Sequence, residues 1–156
     1  MQKVAENLFI GTDMDCRAAG GMVVIHACKT CHVQALGYRG SLPSSHPNYL
    51  IYEVANNLFL NMVDMARLMP LYTDPIMNTA LQFIEKHIQT TPVLIHCNQG
   101  VSRSPGIGLL YMAKKGLLPN ASYEIAKAEF RKIYPFYNPA TGIDNYLNEN
   151  WVKFIK

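Results

Sequence analysis

Residues His96 to Ser104 read HCNQGVSRS, placing a cysteine, a short loop with glycine and serine, and an arginine in one stretch. Val93, Leu94 and Ile95 before it form a short β-type run, and Gly106 to Met112 continue beyond it as an apolar helix. A loop between a strand end and a helix start turns successive backbone N–H groups inward, and the helix dipole adds partial positive charge. Such a cradle holds a tetrahedral oxyanion, and the setting favours a thiolate at Cys97 over a thiol. Arg103 adds a planar fork matched to two phosphate oxygens. Nucleophilic sulfur, amide nest and bidentate cation together point to phosphoryl transfer through a cysteine. A buried cysteine under an ordinary turn would leave His96, Gly100, Ser102, Arg103 and Ser104 unexplained at this junction.

The pattern His-Cys-x5-Arg-Ser resembles the signature of the cysteine-dependent protein phosphatases, and Cys-x-x-Gly-x-Ser-Arg-Ser looks like their dual-specificity branch. That resemblance implies the protein tyrosine phosphatase-like fold, an α/β (by some schemes α+β) architecture with a central mixed sheet flanked by helices. It also implies a phosphocysteine intermediate, which needs an acid to protonate the leaving alcohol and then a base to activate water. Similar phosphatases place the aspartate that does both just after a strand upstream of the cysteine. Here Asn61-Met62-Val63-Asp64-Met65 presents Asp64, 33 positions before Cys97. Asp74 competes, but Pro75 after it assigns it to helix capping; Asp13, Asp15 and Asp144 lack a comparable context. By position His96 is expected in a second layer, fixing the loop and supporting the thiolate, and Ser104 Oγ donates to the sulfur and helps it leave. The amides of Asn98, Gln99, Gly100, Val101, Ser102 and Arg103 would bind phosphate oxygens, with Gly100 allowing a positive φ. Gln99 is a candidate for positioning the hydrolytic water. Asn138-Pro139 followed by Gly142-Ile143 resembles a segment that buttresses the loop; Asn138 is either a hydrogen-bonding brace or a plain turn residue. No metal or cofactor is required, because the cradle and Arg103 replace one electrostatically.

The elements that must position these groups are readable in outline. Asn7 to Gly11 is a strand ending in a glycine turn, Met14 to Ala19 a brief helix, and Met22 to Ala27 a buried central strand. Cys28 to Asn48 reads as an irregular stretch, long for a connection inside a compact domain. Tyr49 to Val54 and Leu58 to Met62 are two strands around Asn56-Asn57. Asp74-Pro75 is expected to open a helix that Thr90-Thr91-Pro92 ends. Further helices are expected from Ser104 to Lys115, from Ser122 to Ile133 and from Asp144 to Phe154. Strands crowd the first half and helices the second, as in a sheet covered by helices.

At 156 residues the chain reads as a single domain, 1–156, able to bury its core without staples. With 49% hydrophobic and 16% charged residues it reads as globular rather than disordered. A net charge of +3 suits an anionic substrate, and the dispersed Lys and Arg make no nucleic-acid footprint. Met1 to Glu6 lead directly into a strand-like segment with no export signal, and no apolar run is long enough to span a bilayer. Four cysteines in this setting are expected to be reduced thiols in the cytoplasm. Cys28-Lys29-Thr30-Cys31-His32 matches the haem-attachment pattern, which requires export. A zinc site of His26, Cys28, Cys31 and His32 is chemically available, but adjacent Cys31 and His32 would strain a tetrahedron. A polar loop fits this stretch best, with His32, Tyr38, Arg39 or His46 facing substrate. The expected partner is a phosphorylated protein, acted on by a monomer. The alternatives are the same chemistry on RNA 5′ phosphates, phosphoinositides or phosphoglucans, or phosphate binding without turnover. Asn98, Gln99, Val101 and Ser102 are uncharged, which weighs against phosphoinositides.

Overall fold

Val23–His26 and Val93–His96 are buried at every position, the pattern of strands covered on both faces. The computed structural model describes residues 1–156. Its strands are β1 (Gln2–Ala5), β2 (Leu8–Gly11), β3 (Val23–His26), β4 (Ile51–Val54), β5 (Asn57–Leu60) and β6 (Val93–His96). Its helices are α1 (Lys29–Leu36), α2 (Pro70–His87), α3 (Arg103–Lys114), α4 (Tyr123–Ile133) and α5 (Thr141–Ile155), with a 3-10 turn at Cys16–Ala18. The sheet order is β1-β2-β6-β3-β5-β4. β2, β6, β3 and β5 run parallel, and β1 and β4 close the two edges antiparallel. This is a central mixed sheet, and its four parallel strands all end at one edge, where α/β folds place their ligands.

α3 lies so close to β2 that a Cβ on Gly108 would come within 2.9 Å of Ile10 Cδ1 and 3.9 Å of Ile95 Cδ1. Ile10 and Ile95 therefore face α3. Strand alternation turns the next residue, His96, to the opposite face, in register with Gly11 on one side and His26 on the other. Cys31 of α1 reaches His96, so α1 covers that second face. α2, α4 and α5 gather around α3, and 36 buried apolar residues form one continuous core. No helix is long and apolar enough to cross a membrane.

Local chemistry accounts for most element ends. Ser122 Oγ accepts from the Ile125 N–H at 3.2 Å and starts α4. Gly116, at φ +74°, follows α3 in the left-handed conformation that ends helices. The stretch 28–48 is not irregular throughout, since α1 occupies its first part. Cys28, Lys29, Cys31 and His32 gave it no apolar stripe to read. α2 begins at Pro70, not at Asp74, because Pro70 supplies the preset first-turn φ. Pro75 lies inside the helix, and Asp74 bonds the Tyr146 hydroxyl and pairs with Lys153 at 2.7 Å. The expected helix at 14–19 shrinks to the 3-10 turn, and β1 adds an edge strand to the sheet.

Candidate active site

Cys97 follows the last residue of β6 and is 2% exposed. Its Sγ lies 3.1 Å from Ser104 Oγ, and the Ser104 N–H donates to it at 3.5 Å from the first turn of α3. Between them the loop wraps a cavity of about 260 Å³ walled by Asp64, Cys97, Asn98, Gln99, Val101, Ser102 and Arg103. From Asn98 to Ser102 no backbone N–H donates to any atom of the chain. Unpaired donors around a concavity favour an anion there. Gly100 sits at φ +71°, and a Cβ on it would come within 2.9 Å of Gly11 O. Only glycine fits that position without strain.

Arg103 is 8% exposed and anchored at two of its nitrogens. Nη1 donates to Met62 O at 3.0 Å and Nη2 to Asn98 Oδ1 at 3.2 Å. Its Nε lies 3.4 Å from Asp64 Oδ2, close enough for charge attraction but without the alignment of a hydrogen bond. Met62 O also accepts the Lys29 N–H, so the segment that carries Asp64 is tied both to Arg103 and to α1. From the other side Gly142 abuts the Met65 carbonyl, and any Cβ there would overlap it. A second cavity of about 410 Å³, mostly apolar, opens beside this segment between Tyr49, Met65, Leu68 and Tyr72.

The loop is braced from distant parts of the chain. Asp13 N–H reaches Asn98 O at 3.3 Å, and Asn138 N–H reaches Val101 O at 2.8 Å. Ala140 N–H donates to Ser102 Oγ at 2.9 Å. Asn138 thus meets the loop through its backbone, and its amide side chain makes no hydrogen bond to it. Tyr134, which the sequence did not single out, donates its hydroxyl to Gly100 O at 2.6 Å. Burial and then the nearby Cys97 push that phenol up to about 12, so it stays a donor throughout the physiological range. Tyr134→Phe leaves a buried carbonyl unpaired and should destabilise the fold by about 1–3 kcal/mol, read by urea unfolding. The KM for an aryl phosphate should rise with it. An unchanged midpoint and KM would deny the brace.

His96 makes no hydrogen bond to the Cys97 sulfur. Its Nδ1 is 3.3 Å from Cys97 O, and its Nε2 is 2.7 Å from His26 Nδ1. Burial, followed by the neighbouring His26, holds it down to about 4, so the ring is neutral at physiological pH. Burial lowers His26 as well. His32 is buried and bonded to Tyr38 Oη and Asn48 O, both at 2.8 Å. It fixes the 37–48 loop rather than facing a substrate. Tyr38, Arg39 and His46 do not line the Cys97 cavity either.

Comparison of the sequence with family profiles and with curated proteins finds no match. The fold does have solved counterparts. The human tyrosine phosphatase-like serine/threonine/tyrosine-interacting protein superimposes with a TM-score of 0.69 at 19% identity, covering 100% of this chain and 98% of its own. Human DUSP28 gives 0.65 at 16% identity, with 99% and 94% covered. The Yvh1 phosphatase domain from Chaetomium thermophilum gives 0.60 at 18%, with 96% and 92% covered. The fold is therefore that of the protein tyrosine and dual-specificity phosphatases.

Proposed function

We propose that this chain hydrolyses phosphate monoesters on proteins through Cys97. One observation carries the reading: Asp64, Cys97 and Arg103 wall the same small cavity as a run of unpaired backbone amides. A phosphate bound there accepts from the loop amides and Arg103, which stabilise its charge without a metal. Cys97 Sγ attacks phosphorus; the S–P bond forms as the ester P–O bond breaks, and Asp64 gives its proton to the departing alcohol oxygen. In the second step Asp64 takes a proton from water, the new O–P bond forms, and the S–P bond breaks. Ser104 Oγ, 3.1 Å from the sulfur, donates a hydrogen bond to it as it leaves. Inorganic phosphate departs and the site is restored.

The surroundings support a protein substrate. The cavity beside Asp64 is lined chiefly by Leu, Met and Tyr side chains, with Lys29 and Arg67 as its cations. Such a wall suits a peptide flank better than a polyanionic chain. Lys29 and Ser41 place the 28–48 stretch on that wall, where it would contribute to specificity. A second reading, phosphate recognition without turnover, draws on the human phosphatase-like interacting protein, whose TM-score is 0.69. The acid, the nucleophile and the cation all present in one cavity favour turnover over it.

The reading is tested with phosphotyrosyl and phosphoseryl peptides, a 5′-phosphorylated RNA and a phosphoinositide, without added divalent cation. Peptides should exceed the other substrates by about tenfold or more in kcat/KM. A preference for RNA or lipid would overturn the protein-substrate reading, and tight peptide binding without release of phosphate would establish the binding module.

A further inference from the structure

Behind the phosphate loop, on the face of the sheet opposite α3, four metal-ligating atoms converge. They belong to Cys16, His26, Cys31 and His96, one from each and all within 4.8 Å of one another, with His26 Nδ1 and His96 Nε2 as the nitrogens that face each other. They come from four separate places: the 3-10 turn after β2, the end of β3, α1, and the end of β6. Parallel pairing brings the two histidines into register, and α1 and the 3-10 turn bring the two thiols over them.

The outer nitrogens of the two rings settle what the inner ones can do. His26 Nε2 is 2.9 Å from Asn57 Oδ1, and His96 Nδ1 is 3.3 Å from Cys97 O. Both partners are acceptors, so both outer nitrogens carry the proton. In a neutral ring the other nitrogen is then a bare lone pair. Two such lone pairs face each other at 2.7 Å, a repulsive arrangement unless a cation lies between them. Turning over the Asn57 amide would permit a plain hydrogen bond between the rings. That arrangement gives Cys16 and Cys31 no part, although both thiols stand within ligand range.

Ligating histidines characteristically donate their second N–H to a carbonyl or carboxylate, which fixes the tautomer and aims the lone pair. Both rings have that partner here. Two thiolates and two neutral imidazoles form the set that selects tetrahedral Zn²⁺, and two thiolates cancel the ion's charge, so burying it is not penalised by a net charge. Zinc–nitrogen and zinc–sulfur bonds of about 2.0–2.3 Å require donors roughly 3.3–3.8 Å apart. The two nitrogens would part and the thiols close in, each by an ångström or less. Cys16 and Cys31 are only partly buried, which leaves an entry path.

We propose that Cys16, His26, Cys31 and His96 bind one Zn²⁺ ion that staples four segments of the chain together directly beneath the phosphate loop. The donor set differs from the one readable in the sequence. His32 is occupied with Tyr38 and Asn48, and Cys28 neighbours Cys31 without belonging to the quartet. Binding releases the two thiol protons and involves no change of oxidation state. The site stands whether or not the chain turns over phosphate.

The test uses the full chain reduced, purified and loaded with zinc or cobalt alone. Wild type should hold one equivalent of zinc by mass spectrometry. Its cobalt form should show the strong visible bands of a tetrahedral centre with thiolate-to-cobalt charge transfer in the near ultraviolet. Cys97→Ser and Cys28→Ser should keep the metal and the spectrum, whereas Cys16→Ser and Cys31→Ser should lose the charge-transfer band or the metal itself. Stripping the metal from wild type should lower Tm by several degrees. Absence of bound metal, an octahedral cobalt spectrum without thiolate bands, or loss of the metal through Cys97→Ser would each overturn the proposal. The wild-type spectrum decides the matter even if a cysteine variant fails to fold.

Discussion

Cys97→Ser is expected to reduce turnover by about 10⁴-fold or more, on the scale that removing a catalytic nucleophile costs, while leaving the phosphate site intact. The two side chains are nearly isosteric, and Cys97 is buried beside Ser104, so the substitution changes reactivity far more than packing. The unpaired amides from Asn98 to Ser102 and the anchored Arg103 survive it. Inorganic phosphate or vanadate should therefore raise the Tm of the variant as it raises that of wild type. Rapid quenching of wild type with labelled substrate should trap a phosphoprotein that the variant does not form. Hydrolysis by Cys97→Ser at the wild-type rate would remove the sulfur from the mechanism altogether.

Asp64→Asn should separate substrates by the basicity of the group they release. An alkyl oxygen needs a proton as the P–O bond breaks, and losing a positioned acid costs about 10²–10⁴-fold. A nitrophenolate departs without help, so its kcat should fall far less. The other aspartates are engaged elsewhere. Asp15 accepts from Thr12 N–H, Asp74 is held by Tyr146 and Lys153, and Asp144 by Tyr123 and Lys127. Asp13 approaches the loop through its backbone and does not wall the cavity. Equal losses on the alkyl and the nitrophenyl substrate would show that Asp64 holds Arg103 in place and transfers no proton.

What could be read in advance was whatever lies within one stretch of chain. The cradle from His96 to Ser104 is contiguous, so strand, loop and helix start appeared together in nine residues. The φ of Gly100 and the Cys97–Ser104 contact follow from that local geometry. Asp64 is singled out in the sequence only by its offset along a resemblance; the carbonyl of Met62, which ties its segment to Arg103, has no trace in residue type. α1 is illegible in the sequence because it has no apolar stripe of its own, His32 being its one buried residue. The opening of α2 at Pro70 is hidden in the sequence because Asp74-Pro75, inside the helix, imitates a cap. Tyr134 and the His26–His96 pair depend on strand order and on contacts spanning 34 and 70 positions, and no periodicity carries that information.

The braces on the phosphate loop also fix when it can come into being. Asp13 holds it from near one end of the sequence, and Tyr134, Asn138 and Ala140 hold it from near the other. These contacts span 85 residues on one side and 34 to 38 on the other, and loop-closure entropy opposes them until the intervening strands and helices are in place. During synthesis Asp13 emerges before the sulfur and the arginine, whereas Tyr134, Asn138 and Ala140 emerge after them. The proposed phosphate site would therefore be completed late, and regained activity should mark the end of refolding rather than any intermediate along it.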